Sequence, residues 1–356
     1  MPPPIRIGVV GAGANTRGRH IPGMRAIEGV EIIAVVNRSR ASSERAAQEL
    51  GIPHVHDTWR DLVRDPAIDA VMIGTWPYLH CPVTLAALEA GKHVLTEARM
   101  AMNAAEAHAM LATSRRHPDL VAMIVPAPFT FAVDPTVTRL LAEGYLGELQ
   151  SVDLRVSGGF LESGGPLHWR MDRDLSGLNI MTLGIWYECL LRWLGPARSV
   201  TALTRVAAPY RTAERGARRA VQVPDHVEIL AEFPPGAIAR LHVSAVAGLM
   251  PGPEVWLFGS AGTLRFQQSG SRLFGARRGE RELQEIAIPE DQRYSWRVEQ
   301  EFIGAIRGEE PVTHTTFEDG VRYMEFTEAV HRSAAERRTV ALPLLDRALY
   351  HPSPGV

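Results

Sequence analysis

Cysteine is nearly absent from this chain. Cys81 and Cys189 are the only two. Neither stands at metal-ligand spacing, and a pair in a chain of this size builds no disulfide framework. Both lie in apolar, helix-like sequence, which points to buried thiols. Long apolar runs are also missing: none reaches the roughly 18 residues a membrane helix requires. The opening MPPPIRIGVVGAG has no charged start followed by a long apolar stretch and a cleavage site, so no secretory leader is read and a cytoplasmic location is expected. Charge of one sign is not in excess. A formal net charge of −2 and a pI near 6.7 leave no electrostatic case for a nucleic-acid partner. The basic stretch RTAERGARR at 211–219 is interleaved with neutral and acidic residues and reads as solvated loop. No His, Cys or carboxylate cluster has ligand spacing, so no metal site is expected.

What is present is ordinary globular composition, 46% hydrophobic and 22% charged over 356 residues, enough for two domains. The first 125 residues alternate short apolar runs (5–10, 30–36, 70–73, 93–95, 120–125) with helical patterns (41–50, 83–90, 104–115). Runs of that kind are strands buried on both faces, as in a parallel sheet covered by helices. The fold class is therefore α/β, with a doubly wound N-terminal domain over residues 1–126. After Pro126 the pattern changes. A helix is expected at 134–143 and strands at 148–156, 199–207, 226–233, 237–247, 254–258 and 263–266, several joined by Gly-containing turns. One long helix is expected at 174–194 and two more at 295–307 and 317–336. Residues 127–356 thus read as an α+β domain with a large, open, mostly antiparallel sheet.

The first strand runs into Gly11-Ala12-Gly13-Ala14-Asn15-Thr16. This is G-x-G-x-x-G with Thr in the last place, at a strand-to-helix turn. The first Gly makes the turn, and the second lets the backbone approach a pyrophosphate seated on the helix N-terminus. The second strand ends about 20 residues further on, as a dinucleotide fold requires. An acid there would bind the adenosine ribose and repel a 2′-phosphate. The residue is Asn37, followed by Arg38, Ser39 and Arg40, so NADP(H) is favoured, with NAD(H) as the other possibility.

These motifs, together with the stretches 73–80 (IGTWPYLH), 87–97 (ALEAGKHVLTE), 144–152, 184–195, 259–264 and 317–343, resemble the Gfo/Idh/MocA family in order along nearly the whole chain. The resemblance implies NAD(P)-dependent oxidation or reduction of a hydroxyl or carbonyl carbon in a sugar, polyol or related small molecule. It also implies a homodimer or homotetramer held through the C-terminal sheet. Carried over by position, Gly11, Gly13, Asn15, Thr16 and Arg17 fall at the pyrophosphate turn. Asn37, Arg38 and Ser39 fall at the adenosine ribose. Thr75, Trp76, Pro77 and His80 fall in the loop beside the cofactor. Glu97 matches the acid of the family's E-K-P motif, which closes over the nicotinamide ribose.

Departures from the family pattern bear on mechanism. Ala98 and Arg99 stand where the family has Lys and Pro. An alanine holds no proton, and an arginine stays charged. The family's Asp and His, one helical turn apart, fall on Thr182 and Trp186, and neither titrates near neutral pH. Candidate replacement proton donors are His168, in Leu167-His168-Trp169-Arg170, and Tyr187, whose place on the apolar stripe of Ile180, Leu183, Leu191 and Leu194 favours a packed core tyrosine. Trp76, Trp169, Arg170, Thr182 and Trp186 are expected to wall the substrate pocket. Asp172 reads as structural, and Glu188 with Arg192 as a helix-surface ion pair. The alternative reading is a dinucleotide-binding protein without net redox turnover: a lyase or hydrolase with transient oxidation, or a regulatory protein.

Overall fold

The computed structural model describes residues 3–162, 164–213 and 216–344. The chain forms two compact units. Residues 3–126 make the first, joined by residues 297–321. Residues 127–296 and 322–344 make the second. The return of 297–321 to the first unit departs from a single cut at residue 126. It brings a helix, Val298–Arg307, whose face of Val298, Phe302 and Ile303 is buried.

The first unit is a six-stranded parallel sheet. Its strands are β1 (Ile5–Val10), β2 (Val30–Val36), β3 (His54–Val55), β4 (Ala70–Ile73), β5 (His93–Thr96) and β6 (Ala122–Ile124), in the spatial order β3-β2-β1-β4-β5-β6. β4 is buried at every position and β1 at its last four, which is why these strands read as unbroken apolar runs rather than alternating ones. Val10, Val36, Val71, Ile73 and Val94 share a cluster with Leu62 and Leu88. Each such side chain contributes on the order of 2 kcal/mol by leaving water. The strand order reverses between β1 and β4, where doubly wound sheets bind their ligands.

The second unit holds a nine-stranded sheet. Its order is 284–285, 272–277, 262–267, 254–259, 149–157, 237–244, 226–233, 199–205 and 340–341. All pairs are antiparallel except Leu149–Ser157 with Ala237–Ser244. Alternation along these strands buries Val227, Ile229, Ala231 and Phe233 on one face. The opposite face leaves Leu203, Leu230 and Ile238 more than half exposed.

The single helix expected at 174–194 is two. Arg173–Ser176 stops at Gly177 (φ 65°), and Leu183–Leu194 begins after Met181 (φ 42°). The reason lies in the polar residues of the break. Asn179 Nδ2 donates to the Ser176 carbonyl at 2.7 Å, satisfying a helix-end acceptor that a continuing helix would have used. Asp172 is structural, as read: its Oδ1 accepts from the Asp174 N–H at the N-cap, and Arg219 pairs with its other oxygen at 2.8 Å. No helix among the described residues is long and apolar enough to cross a membrane.

Candidate active site

The glycine turn after β1 is shaped by local sterics. Gly11 has φ +89°, and a Cβ there would lie 2.7 Å from Thr75 Cγ2. Only glycine tolerates both the left-handed backbone and the approach. A Cβ on Gly74 would meet Thr16 Oγ1 at 2.0 Å, so β1 and β4 close together at the turn. The helix that follows has a wide π-turn over Thr16–His20, closed by the Ile21 N–H on the Thr16 carbonyl. Pro22 has no N–H for the carbonyl four residues back, and the wide turn accommodates that gap.

A cleft of about 590 Å³ opens on this turn. Gly11, Gly13, Arg17, Asn37, Arg38, Thr75 and Trp76, expected at the cofactor, line it. Ser42, Asp57, Trp59, Arg60 and Tyr78 line it too, and sequence reasoning missed them. A usable signal was Thr58-x-x-Asp61, which forms a capping box and starts a helix at Trp59. The cleft fits a dinucleotide. Its glycine cradle would be filled by any Cβ at Gly11, and the buried Thr75 Oγ1 has no hydrogen-bond partner among the described residues.

Asn37 is committed inward. Its Oδ1 accepts from the Ala12 N–H at 2.8 Å, and its Nδ2 donates to the Ser42 carbonyl at 3.1 Å. Ser39 is the N-cap of the helix Arg40–Leu50. Arg40 is held by Glu44 and Asp57, each at 2.8 Å. Arg17 donates through Nε to the Ala12 carbonyl at 2.8 Å and pairs with Glu49. Arg60 stacks over Trp59 at 4.2 Å.

Other expected cofactor residues sit off the cleft lining. Thr16 is buried beneath Gly74, and Pro77 is buried at the start of a short helical turn. His80 is fully buried, with Nδ1 on the Arg99 carbonyl at 2.9 Å and Nε2 on the Thr75 carbonyl at 3.0 Å. Burial pushes its pKa down, so the ring is neutral and donates to one carbonyl at a time. The Ala98–Arg99 peptide is cis, and Arg99 is only 2% exposed. Asn15 donates to Glu97 Oε1, and the Ala98 N–H reaches Glu97 Oε2 at 3.2 Å. The chain's only lysine, Lys92, donates to the Ile68 carbonyl at 2.6 Å.

In the second unit, a cavity of about 210 Å³ gathers His168, Arg170 and Thr182, which sequence reasoning had grouped, with Met171, Met181 and Arg211. The Arg170 N–H donates to His168 Nδ1 at 3.2 Å. That bond selects the neutral tautomer with its proton on Nε2. Burial, then the charge of Arg170, lowers the His168 pKa. Trp169 lies under the Arg170 guanidinium at 4.3 Å and does not line the cavity.

Trp186 and Tyr187 are placed differently. Trp186 is 1% exposed and packs on Phe129 with centroids 5.0 Å apart. Tyr187 stacks on Phe326 at 3.6 Å, and its hydroxyl accepts from the Ala197 N–H at 3.0 Å. Burial pushes the Tyr187 hydroxyl pKa well up, so the structure gives it a packing place rather than a proton-transfer one. Glu188 and Arg192 form no surface pair. Glu188 is 2% exposed, and Arg192 reaches Glu188 at 2.8 Å, Asp134 at 3.0 Å and the Ala127 carbonyl at 2.8 Å. The segment before Asp134 covers that helix face, which an isolated i, i+4 spacing cannot reveal.

The parallel sheet, glycine turn and cleft define an NAD-binding oxidoreductase fold. Residues 5–124 match the model for the oxidoreductase family with the NAD-binding Rossmann fold, and residues 135–265 match the GFO/IDH/MocA C-terminal domain. The chain belongs to the Gfo/Idh/MocA oxidoreductase family. It is 32% identical over 76% of its length to dTDP-3,4-didehydro-2,6-dideoxy-alpha-D-glucose 3-reductase of Streptomyces antibioticus, 77% of which is covered. It is 26% identical to the trans-1,2-dihydrobenzene-1,2-diol dehydrogenase of Mus musculus, covering 74% of this chain and 75% of that one. Among solved structures, the apo form of levoglucosan dehydrogenase shares its fold with TM-score 0.84 at 20% identity, over 97% of this chain and all of that one.

Proposed function

We propose that the protein uses NADP(H) to interconvert a hydroxyl and a carbonyl on a small sugar- or polyol-like compound, with His168 meeting the reacting oxygen. The observation that carries this reading is the lining of the cleft. Asn37 offers no carboxylate to an adenosine ribose, while Arg38, Ser42 and Arg60 offer donors for a 2′-phosphate. When bound, the nicotinamide supplies or takes the hydride. Gly11 and Gly13 would leave room for the pyrophosphate, where the helix opening at Ala14 would favour an anion.

The relatives' names support a substrate with a ring or a vicinal diol. The cavity of the second unit supports a small one, with Met171, Met181, Val221 and Val223 supplying apolar walls. His168, whose Nδ1 accepts from the Arg170 N–H, offers Nε2–H as a hydrogen-bond donor that polarises a carbonyl oxygen, as neutral imidazoles do elsewhere. The exposed Leu203, Leu230 and Ile238 support a homo-oligomer through the open sheet face. The second reading, cofactor binding without net turnover, is favoured by the lysine inventory: Lys92 is the only one, and it is tied to Ile68.

Titration of the purified protein with NADPH and NADH, followed by fluorescence, tests the proposal. Tighter binding of NADPH, followed by its oxidation in a screen of keto sugars and diketones, is the expected result. Preference for NADH overturns the phosphate argument. Binding without oxidation by any carbonyl, or reduction by any alcohol, shifts the reading to the second one.

A further inference from the structure

Beneath the glycine turn, the buried His20 and Glu299 join the motif residues Asn15 and Glu97 in one polar chain. His20 sits on the π-turn with a side chain that is 0% exposed. Its Nδ1 is 2.6 Å from Glu299 Oε1, and its Nε2 is 3.0 Å from Glu97 Oε1. Glu299 is 1% exposed and arrives on the helix Val298–Arg307. The same Glu97 oxygen also accepts from Asn15 Nδ2 at the pyrophosphate turn. His20 Nε2 and Asn15 Nδ2 are 3.2 Å apart, both converging on that carboxylate. Asn15, Glu97, His20 and Glu299 thus form one line from the turn into the core of the first unit.

Two carboxylate oxygens at bonding distance from one ring favour a proton on both of its nitrogens. A neutral imidazole donates one N–H and can satisfy one carboxylate. Here both ring nitrogens face carboxylate oxygens at bonding distance. The doubly protonated ring satisfies both at once. Losing the proton takes one of the two ring donors away from this pair of carboxylates, of which Glu299 is buried and Glu97 is 15% exposed. Glu97, Glu299 and Asn15 face His20. The group facing Glu97 from the loop side is His80, which is neutral.

We propose that His20 is a positioning residue whose imidazolium clamps Glu97 onto Asn15, and that this clamp sets the affinity of the glycine turn for its dinucleotide. The proposal rests on the first unit binding a dinucleotide. Deprotonation acts twice: the Glu97–Asn15 contact loosens, and one more negative charge appears behind a turn that holds a pyrophosphate. Burial opposes the charge on His20, but the bonds to Glu299 and Glu97 outweigh it and raise its pKa to about 9, so the clamp is closed at neutral pH.

The test is the Kd for NADH measured by fluorescence from pH 7 to pH 10.5 in the wild type, His20→Gln and Glu299→Gln. NADH is chosen because it has no 2′-phosphate to titrate. Tyr78, which lines the cleft, has its pKa raised by burial. Wild-type affinity is expected to fall about tenfold across that range, the effect of one charge within roughly 10 Å at an effective dielectric near 20. His20→Gln is expected to bind weakly and with a flat profile. Glu299→Gln keeps an acceptor for Nδ1 but removes one charge, so its affinity should fall at lower pH than the wild type's. A wild-type profile flat to pH 10.5, or a His20→Gln profile that still falls with pH, overturns the proposal while leaving dinucleotide binding intact. Absence of NADH and NADPH binding in the wild type at any pH overturns the dinucleotide reading and the clamp with it.

Discussion

Replacing His20 by glutamine should change how stability depends on pH, and the size of the effect follows from the buried triad. In the folded protein His20 titrates at about 9, against a usual 6.5. The native state therefore holds a proton that the unfolded chain has released. At about 1.4 kcal/mol per unit, the full stabilisation is roughly 3 kcal/mol. It is complete below about pH 6.5 and is lost as pH rises through about 9. Urea unfolding of wild type and His20→Gln, followed by circular dichroism at intervals from pH 6 to pH 9.5, reads this directly. The difference in unfolding free energy between the two should shrink steadily above pH 6.5, because the glutamine has no proton to lose. Parallel curves over that whole range would show that folding leaves the His20 pKa unshifted and refute the reasoning from its two carboxylates.

Other substitutions probe separate parts of the structure. Asn37→Asp can still accept from the Ala12 N–H, but it adds a charge beside the expected 2′-phosphate. The ratio of NADPH to NADH affinity should drop about tenfold or more, as measured by fluorescence titration. Arg192→Met leaves Glu188 and Asp134 without their cation in a buried site; a loss of about 3–5 kcal/mol is expected from denaturant unfolding. Burial raises the Glu106 pKa to about 7, so its ionisation destabilises the fold. Glu106→Gln should match wild type near pH 4.5 and exceed it at pH 8 by at most about 3 kcal/mol, checked by thermal unfolding at both pH values. Tyr187→Phe should cost about 1–3 kcal/mol of stability through the orphaned Ala197 N–H, with little change in kcat. His168→Asn should do the reverse, lowering kcat by about a hundredfold or more with stability unchanged.

The parts of this protein legible in its sequence are those encoded locally. Strands β1, β2 and β4 appear as apolar runs because helices cover both faces of their sheet. The helix Phe317–Glu336 and the strand His226–Phe233 stand at the bounds their periodicity indicates. The glycine turn is readable because the left-handed backbone at Gly11 excludes every residue with a Cβ. Burial and long-range pairing were decided only by the tertiary structure. Glu188 and Arg192 have the spacing of a surface ion pair, and the covering segment at 127–134 turns them into a core network. Trp186 and Tyr187 lie on the helix capped by the cavity residue Thr182, but their side chains face Phe129 and Phe326. His20, Glu97 and Glu299 are 77 and 279 residues apart in the chain, so no window of sequence holds all three. Periodicity reports which residues share a face of one element. Which face meets which partner, and which proton is then trapped between them, follows from packing of elements distant in the chain.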